Sequence, residues 1–170
     1  MSKVLFEETQ RNVVMIIIPV MVSAITGLIA IVQLSTGKPV GNHPMSDNGM
    51  VIAFIITVLT GWLLSSPKLK TTITSDEIIY SFGINASRSV IKMDEVIAVS
   101  IIKYDALTDF WGWGVKNNST THCYTSSGDT GLEIIFSKGK KKLIGTQKPK
   151  ELQLVLETYF KDKLVISDEN

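Results

Sequence analysis

From Val13 to Leu34 the chain reads VVMIIIPVMVSAITGLIAIVQL, 22 residues without a charge. As a helix rising about 1.5 Å per residue, that run is long enough to cross a hydrocarbon core of ~30 Å. A soluble core helix usually keeps a polar stripe, and this run has none. A second run, Met50 to Ser66, reads MVIAFIITVLTGWLLSS, 17 uncharged residues with Trp62 near its end as an interfacial anchor. Two membrane spans, 13–34 and 50–66, are therefore expected.

The leader MSKVLFEETQRN carries Glu7 and Glu8, and the apolar core behind it is longer than that of a cleaved secretory signal. It reads as a cytoplasmic N-terminal tail, 1–12, ahead of a retained anchor. Between the runs, 35–49 (STGKPVGNHPMSDNG) is rich in turn-forming residues, so the spans form a helical hairpin. Lys38 is the only basic residue of that loop, whereas Lys3, Arg11, Lys68 and Lys70 flank the outer ends. The positive-inside rule then puts both termini, and everything after the second span, on the cytoplasmic side of a bacterial inner membrane. The polar residues inside the spans (Ser23, Thr26, Gln33, Thr57, Thr60) read as packing and hydrogen-bonding groups. No ionisable side chain lies at membrane depth, which argues against an ion path.

Charge is strongly partitioned. Of 17 basic and 16 acidic residues, only Lys3, Glu7, Glu8, Arg11, Lys38 and Asp47 precede Pro67. The mean hydropathy of +0.23 thus averages two unlike halves. A net charge of +1 without a long basic block excludes nucleic acid as the main partner.

After Pro67 the periodicity changes to two. Ile78, Tyr80, Phe82 and Ile84 share one strand face. SVIK forms a second strand, and Val96 to Tyr104, apolar on both faces, reads as a central one. Leu132, Ile134 and Phe136 alternate, and Leu143 and Ile144 complete a hairpin across Lys138 and Gly139. Pro149 and Glu151 then open a helix whose apolar stripe is Leu152, Val155, Leu156, Tyr159 and Phe160. The expected architecture over 67–166 is an antiparallel sandwich or barrel of about seven strands capped by a C-terminal helix, with 167–170 as a tail.

That order resembles the pleckstrin-homology (PH)-like superfold. The segment FWGWGVK…YTSSGDTGLEIIFSKGKKKLIGTQKPKEL is similar to the C-terminal part of uncharacterised bacterial membrane proteins in which a two-helix hairpin precedes a PH-like domain. The matching pieces are Gly112-Trp113-Gly114, Gly131-Leu132-Glu133, the basic turn, and Leu143-Ile144-Gly145-Thr146-Gln147 leading into Pro149-Lys150-Glu151-Leu152. The resemblance implies a membrane α-helical hairpin joined to an α+β PH-like domain, a fold that serves lipid binding, peptide binding and self-assembly alike.

Reactive constellations are weak. His43 and His122 fall in different segments, and one Cys with two separated His has no zinc spacing. His122 and Cys123 are neighbours in a strand and point to opposite faces. Gly112 to Gly114 and Gly128 to Gly131 lack the Lys-Ser/Thr of a phosphate loop. No catalysis, cofactor or metal is expected. Asn85, Asn117 and Asn118 match glycosylation acceptors, which are irrelevant on a cytoplasmic side.

Two clusters remain as candidate contact sites. Lys138, Lys140, Lys141 and Lys142 could attract anionic headgroups or an acidic partner. Trp111 and Trp113, with Phe110, either fill a core or present an interfacial anchor, and at least one Trp is expected to be exposed. The functional expectation is a membrane-anchored binding or self-assembly module in the bilayer, as a homo-oligomer or with a membrane-protein partner. Its rivals are an anionic-lipid sensor using the 138–142 hairpin and an accessory subunit of a transport or envelope complex.

Overall fold

Strand pairing begins ahead of the first apolar run. The computed structural model describes residues 3–117 and 120–165, and the backbone but not the side chain of Lys138. The chain divides into two units: Asn12–Pro67, and the residues up to Arg11 together with those from Lys68 onward.

In the first unit, helix α1 spans Val14–Thr36 and α2 spans Asp47–Ser65. Both are long and apolar enough to cross a membrane. They pack antiparallel, because partners rise along one helix as they fall along the other. Pro19 meets Gly61, Thr26 meets Thr57 and Gln33 meets Asp47. Gly61 is required by that approach, since a Cβ there would lie 2.9 Å from Pro19 Cβ. Near mid-hairpin the Thr26 and Thr57 hydroxyls are 3.1 Å apart, and Thr26 also donates to Val22 O at 2.9 Å. Fully buried Gln33 organises the loop, donating from Nε2 to Met45 O at 2.9 Å and to Asp47 Oδ1 at 2.8 Å. The second helix starts three residues before the expected Met50, because the Ser46 hydroxyl accepts from Gly49 N and caps it.

In the second unit, residues expected as a tail form strand β1, Val4–Gln10. It pairs antiparallel with β2, Lys68–Thr74, in a register that sets Gln10 opposite Leu69 and Glu7 opposite Thr72. The apolar hairpin is therefore an insertion between two adjacent strands of one sheet. Strands β3 (Glu77–Gly83) and β4 (Ser89–Lys92) complete a sheet of order β1-β2-β3-β4.

A 3-10 turn, Met93–Glu95, leads into β5, Val96–Lys103. After a one-turn helix α3 (Ala106–Phe110) come β6 (Gly114–Asn117), β7 (Thr121–Thr125), β8 (Thr130–Phe136) and β9 (Lys141–Gly145). The second sheet has the order β5-β8-β9-β7-β6. Three expectations need correction. Eight described strands fall within 67–166 where about seven were expected, and β1 from the expected tail adds a ninth. The sheet is not wholly antiparallel, because β7 pairs β9 in parallel with Cys123 opposite Leu143. Finally, β5 is marginal in its ladder, not central. It is apolar on both faces because Val96 and Val99 join the inner core while Ile102 packs on a second cluster outside. Its free edge is occupied by the chain after the last helix: Val99 N donates to Lys163 O and Val165 N to Val99 O.

Helix α4, Pro149–Tyr159, carries Pro149 at its start, and Lys148 pairs with Glu151 at 3.1 Å. Its stripe closes the gap between edge strands β1 and β5. Leu152, Leu156 and Phe160 enter a core with Phe6, Leu69, Ile73 and Ile78 of one sheet and Val99, Leu132, Ile134 and Ile144 of the other. Tyr159 departs from the expected stripe: it is half exposed, with Lys3 Nζ 5.9 Å from its ring centre.

Candidate functional site

Among the described lysines of the basic turn, Lys140, Lys141 and Lys142 have three different surroundings. The side chain of Lys138 lies outside the described residues. Gly139, at φ 71°, makes the turn, and Lys140 is exposed beside it. The next two lysines diverge because successive residues of β9 face opposite sides of the sheet. Lys141 points outward and bonds Glu133 Oε1 of β8 at 3.0 Å. Lys142 points between the sheets and donates to Tyr80 Oη at 2.6 Å. Its ammonium lies 4.8 Å from the Tyr80 ring centre, 5.9 Å from Tyr124 and 5.8 Å from Phe136, a cation–π cage drawn from both sheets. Tyr80 and Tyr124 meet edge to face at 4.8 Å. The cage was not legible beforehand, since its rings come from three strands spread over much of the sequence.

Burial holds the Lys142 ammonium below the ordinary lysine range, with Tyr124 acting in the opposite sense. Between that lowered value and the ordinary one the unfolded chain binds more protons than the folded one. Raising the pH across this window therefore relieves the burial penalty and adds stability. Lys142→Met keeps the apolar stem without the ammonium. In urea unfolding between neutral pH and about pH 10, it is expected to lack the alkaline gain that the unaltered chain shows. Parallel pH curves for the two proteins would contradict this.

The aromatic group is split by the loop that follows β5. Phe110 stacks edge to face on Tyr104 at 6.1 Å, within an outer cluster of Tyr104, Ala106, Cys123 and Leu143. Trp113 packs against the same cluster and donates from Nε1 to Gly128 O at 3.0 Å. Trp111 is 90% exposed, and at φ 56° it ends α3 in the left-handed conformation. Leu107, which carried no signal in the sequence, is 66% exposed on the same helix.

The other reactive groups stand apart. Cys123 is buried under the 104–113 loop, and desolvation pushes its thiol up to about 11, so it holds little thiolate at neutral pH. Its neighbour His122 is exposed on the opposite face of β7, and His43 belongs to the loop of the helical hairpin. Among the described residues no three His, Cys, Asp or Glu side chains come together to hold a metal.

An open groove of about 720 Å³ runs beside α3, lined by Lys103, Tyr104, Asp105, Asp109, Trp113 and Asp129. Its carboxylates already serve the loop. Asp105 accepts from Leu107 N at 2.8 Å and Thr108 N at 3.2 Å, bonds that hold its pKa low. Asp109 accepts from Asp105 N, and Asp129 from the Thr130 hydroxyl.

A buried polar joint is the feature that sequence reasoning missed altogether. Phe6, Glu8 and Gln10 face the interior from β1. Glu8, 5% exposed, accepts from Thr146 Oγ1 and from Gln147 N, both at 2.8 Å. Gln10 Nε2 donates to Gly145 O at 2.6 Å. The first strand is thereby tied to the link between β9 and α4. A strand with one apolar and two polar inward residues shows no amphipathic period, so nothing marked it.

Compared with known protein families, with curated proteins and with solved structures, the chain matches none.

Proposed function

We propose that this is an integral membrane protein whose helical hairpin crosses the bilayer twice and anchors a PH-like β domain, a binding or self-assembly module without catalytic activity. The observation that carries the reading is the outer surface of α1 and α2. Large apolar side chains stand uncovered around both helices, including Ile17, Val20, Leu28 and Ile31 on the first and Ile55, Leu59 and Leu63 on the second. Inside the hairpin Thr26 pairs with Thr57 and Gln33 with Asp47. Lipid is the solvent that suits an apolar exterior around such an interior.

The pairing of β1 with β2 supports the two-span topology independently. Strands that share a ladder lie on one side of a bilayer, so the intervening chain crosses an even number of times. The charge bias assigns that side to the cytoplasm. The PH-like assignment rests on a two-sheet sandwich closed by a C-terminal helix, and the parallel β7–β9 pair departs from an all-antiparallel pattern. Absence of catalysis fits a protonated, buried thiol and carboxylates engaged as caps.

Membranes carrying the full chain, washed with alkaline carbonate, are expected to retain it in the pellet. A reporter fused after Asn170 is expected to be active only as a cytoplasmic fusion. Extraction by carbonate would overturn the spans, and periplasmic activity would overturn the orientation.

A further inference from the structure

We infer that Leu107 and Trp111 form an apolar prong that inserts into the interfacial layer of the bilayer, at uncharged lipid. The inference rests on the proposal that α1 and α2 span that bilayer, and it adds a second, non-spanning contact.

The prong is built to protrude. Leu107 and Trp111 bracket the single turn of α3, with Trp111 N, at the helix C-cap, donating to Leu107 O at 3.1 Å. Trp111 is the one described non-glycine residue with positive φ, at a helix-ending position that glycine or asparagine ordinarily takes. The base beneath it is firmly tied. Asp105 caps α3, Gly112 N donates to Ala106 O at 2.6 Å, and Phe110 and Trp113 turn inward to Tyr104 and Gly128 O. The loop half-buries Phe110 and Trp113 and leaves Trp111 and Leu107 exposed.

Its place in the β domain selects the occupant. Lys103 pairs with Thr130, Thr146 N bonds Thr130 O, and Gly131 pairs with Gly145. Gly145 O accepts from Gln10, the last residue of β1 before the chain leaves for the apolar hairpin. The prong's loop therefore lies at the end of the β domain where β1 ends at Gln10, two residues before the apolar hairpin unit begins at Asn12. The 137–140 basic turn lies at the other end of β9, five residues or about 16 Å away.

Lipid chemistry follows from the flanking charges. Trp is favoured at the headgroup boundary, where its ring is amphipathic to match. Asp105, Asp109 and Asp129 outnumber Lys103 around the prong's base, so anionic headgroups add no attraction, and a zwitterionic surface is the fitting partner.

The test uses the full chain in phosphatidylcholine vesicles, with an environment-sensitive fluorophore on single introduced cysteines. The native Cys123 is buried and protonated and stays unlabelled. Leu107→Cys and Trp111→Cys report the prong. Leu63→Cys, exposed on α2, reports the spans, and Ile97→Cys, exposed near the start of β5, serves as the aqueous reference. Blue-shifted emission at 107 and 111, quenched by lipids brominated near the headgroup, is the expected result. Aqueous emission at both positions, like that at 97, with quenching retained at 63, would overturn the prong alone. Loss of quenching at 63 would overturn the spans and the prong with them. Prong quenching that appears only with anionic lipid would overturn the zwitterionic assignment.

Discussion

Glu8→Ala is expected to destabilise the β domain by about 3 kcal/mol, because it strands two donors in a water-poor joint. The Thr146 hydroxyl and the Gln147 amide both donate to that carboxylate, and Glu8 is almost wholly enclosed. A hydrogen bond to a charged acceptor contributes roughly 1.5–3 kcal/mol, and part of the loss is offset because a desolvated charge is also removed. Glu8→Gln keeps one carbonyl acceptor and is expected to lose less. Denaturant unfolding of the detergent-solubilised chain measures both, and a change within about 0.5 kcal/mol for Glu8→Ala would mean that water enters the joint. The effect reaches beyond β1. Releasing this strand also loosens the origin of α4, since Thr146 and Gln147 lead directly into Lys148 and Pro149.

Leu156→Ala, in the second half of α4, is expected to cost about 2–5 kcal/mol, the range for emptying a fully buried leucine site. Leu156 is wholly enclosed among residues of both sheets, so the cavity cannot collapse without moving one sheet against the other. Exposed Leu154 on the same helix supplies the control. Leu154→Ala should change stability by less than about 0.5 kcal/mol. Equal effects at 154 and 156 would show that α4 does not seat on the sandwich as described.

These two positions differ in how visible they were. Leu156 belongs to a helical stripe that also includes Leu152, and the Pro149 start made the helix readable from local pattern alone. The same holds for the β8–β9 hairpin, whose alternation and glycine turn are encoded within about 15 residues. Glu8 was opaque because its burial depends on partners more than 130 positions away. The lysine cluster shows the converse limit of linear pattern. Adjacent in sequence, Lys141 and Lys142 separate across the sheet, one to a carboxylate and one to an aromatic cage. Strand geometry divides Lys141 from Lys142, which linear proximity sets side by side.

What the sequence determined by itself was the separation into an uncharged helical pair and a charged β domain, together with the C-terminal helix. Each follows from hydropathy and periodicity, which are short-range and additive along the chain. The tertiary structure alone decided that residues 4–10 join the sheet, that the apolar hairpin is inserted between paired strands, and that Trp111 stands out while Trp113 turns in. Those outcomes depend on long-range pairing, where a polar residue is buried or an aromatic exposed according to what lies across from it.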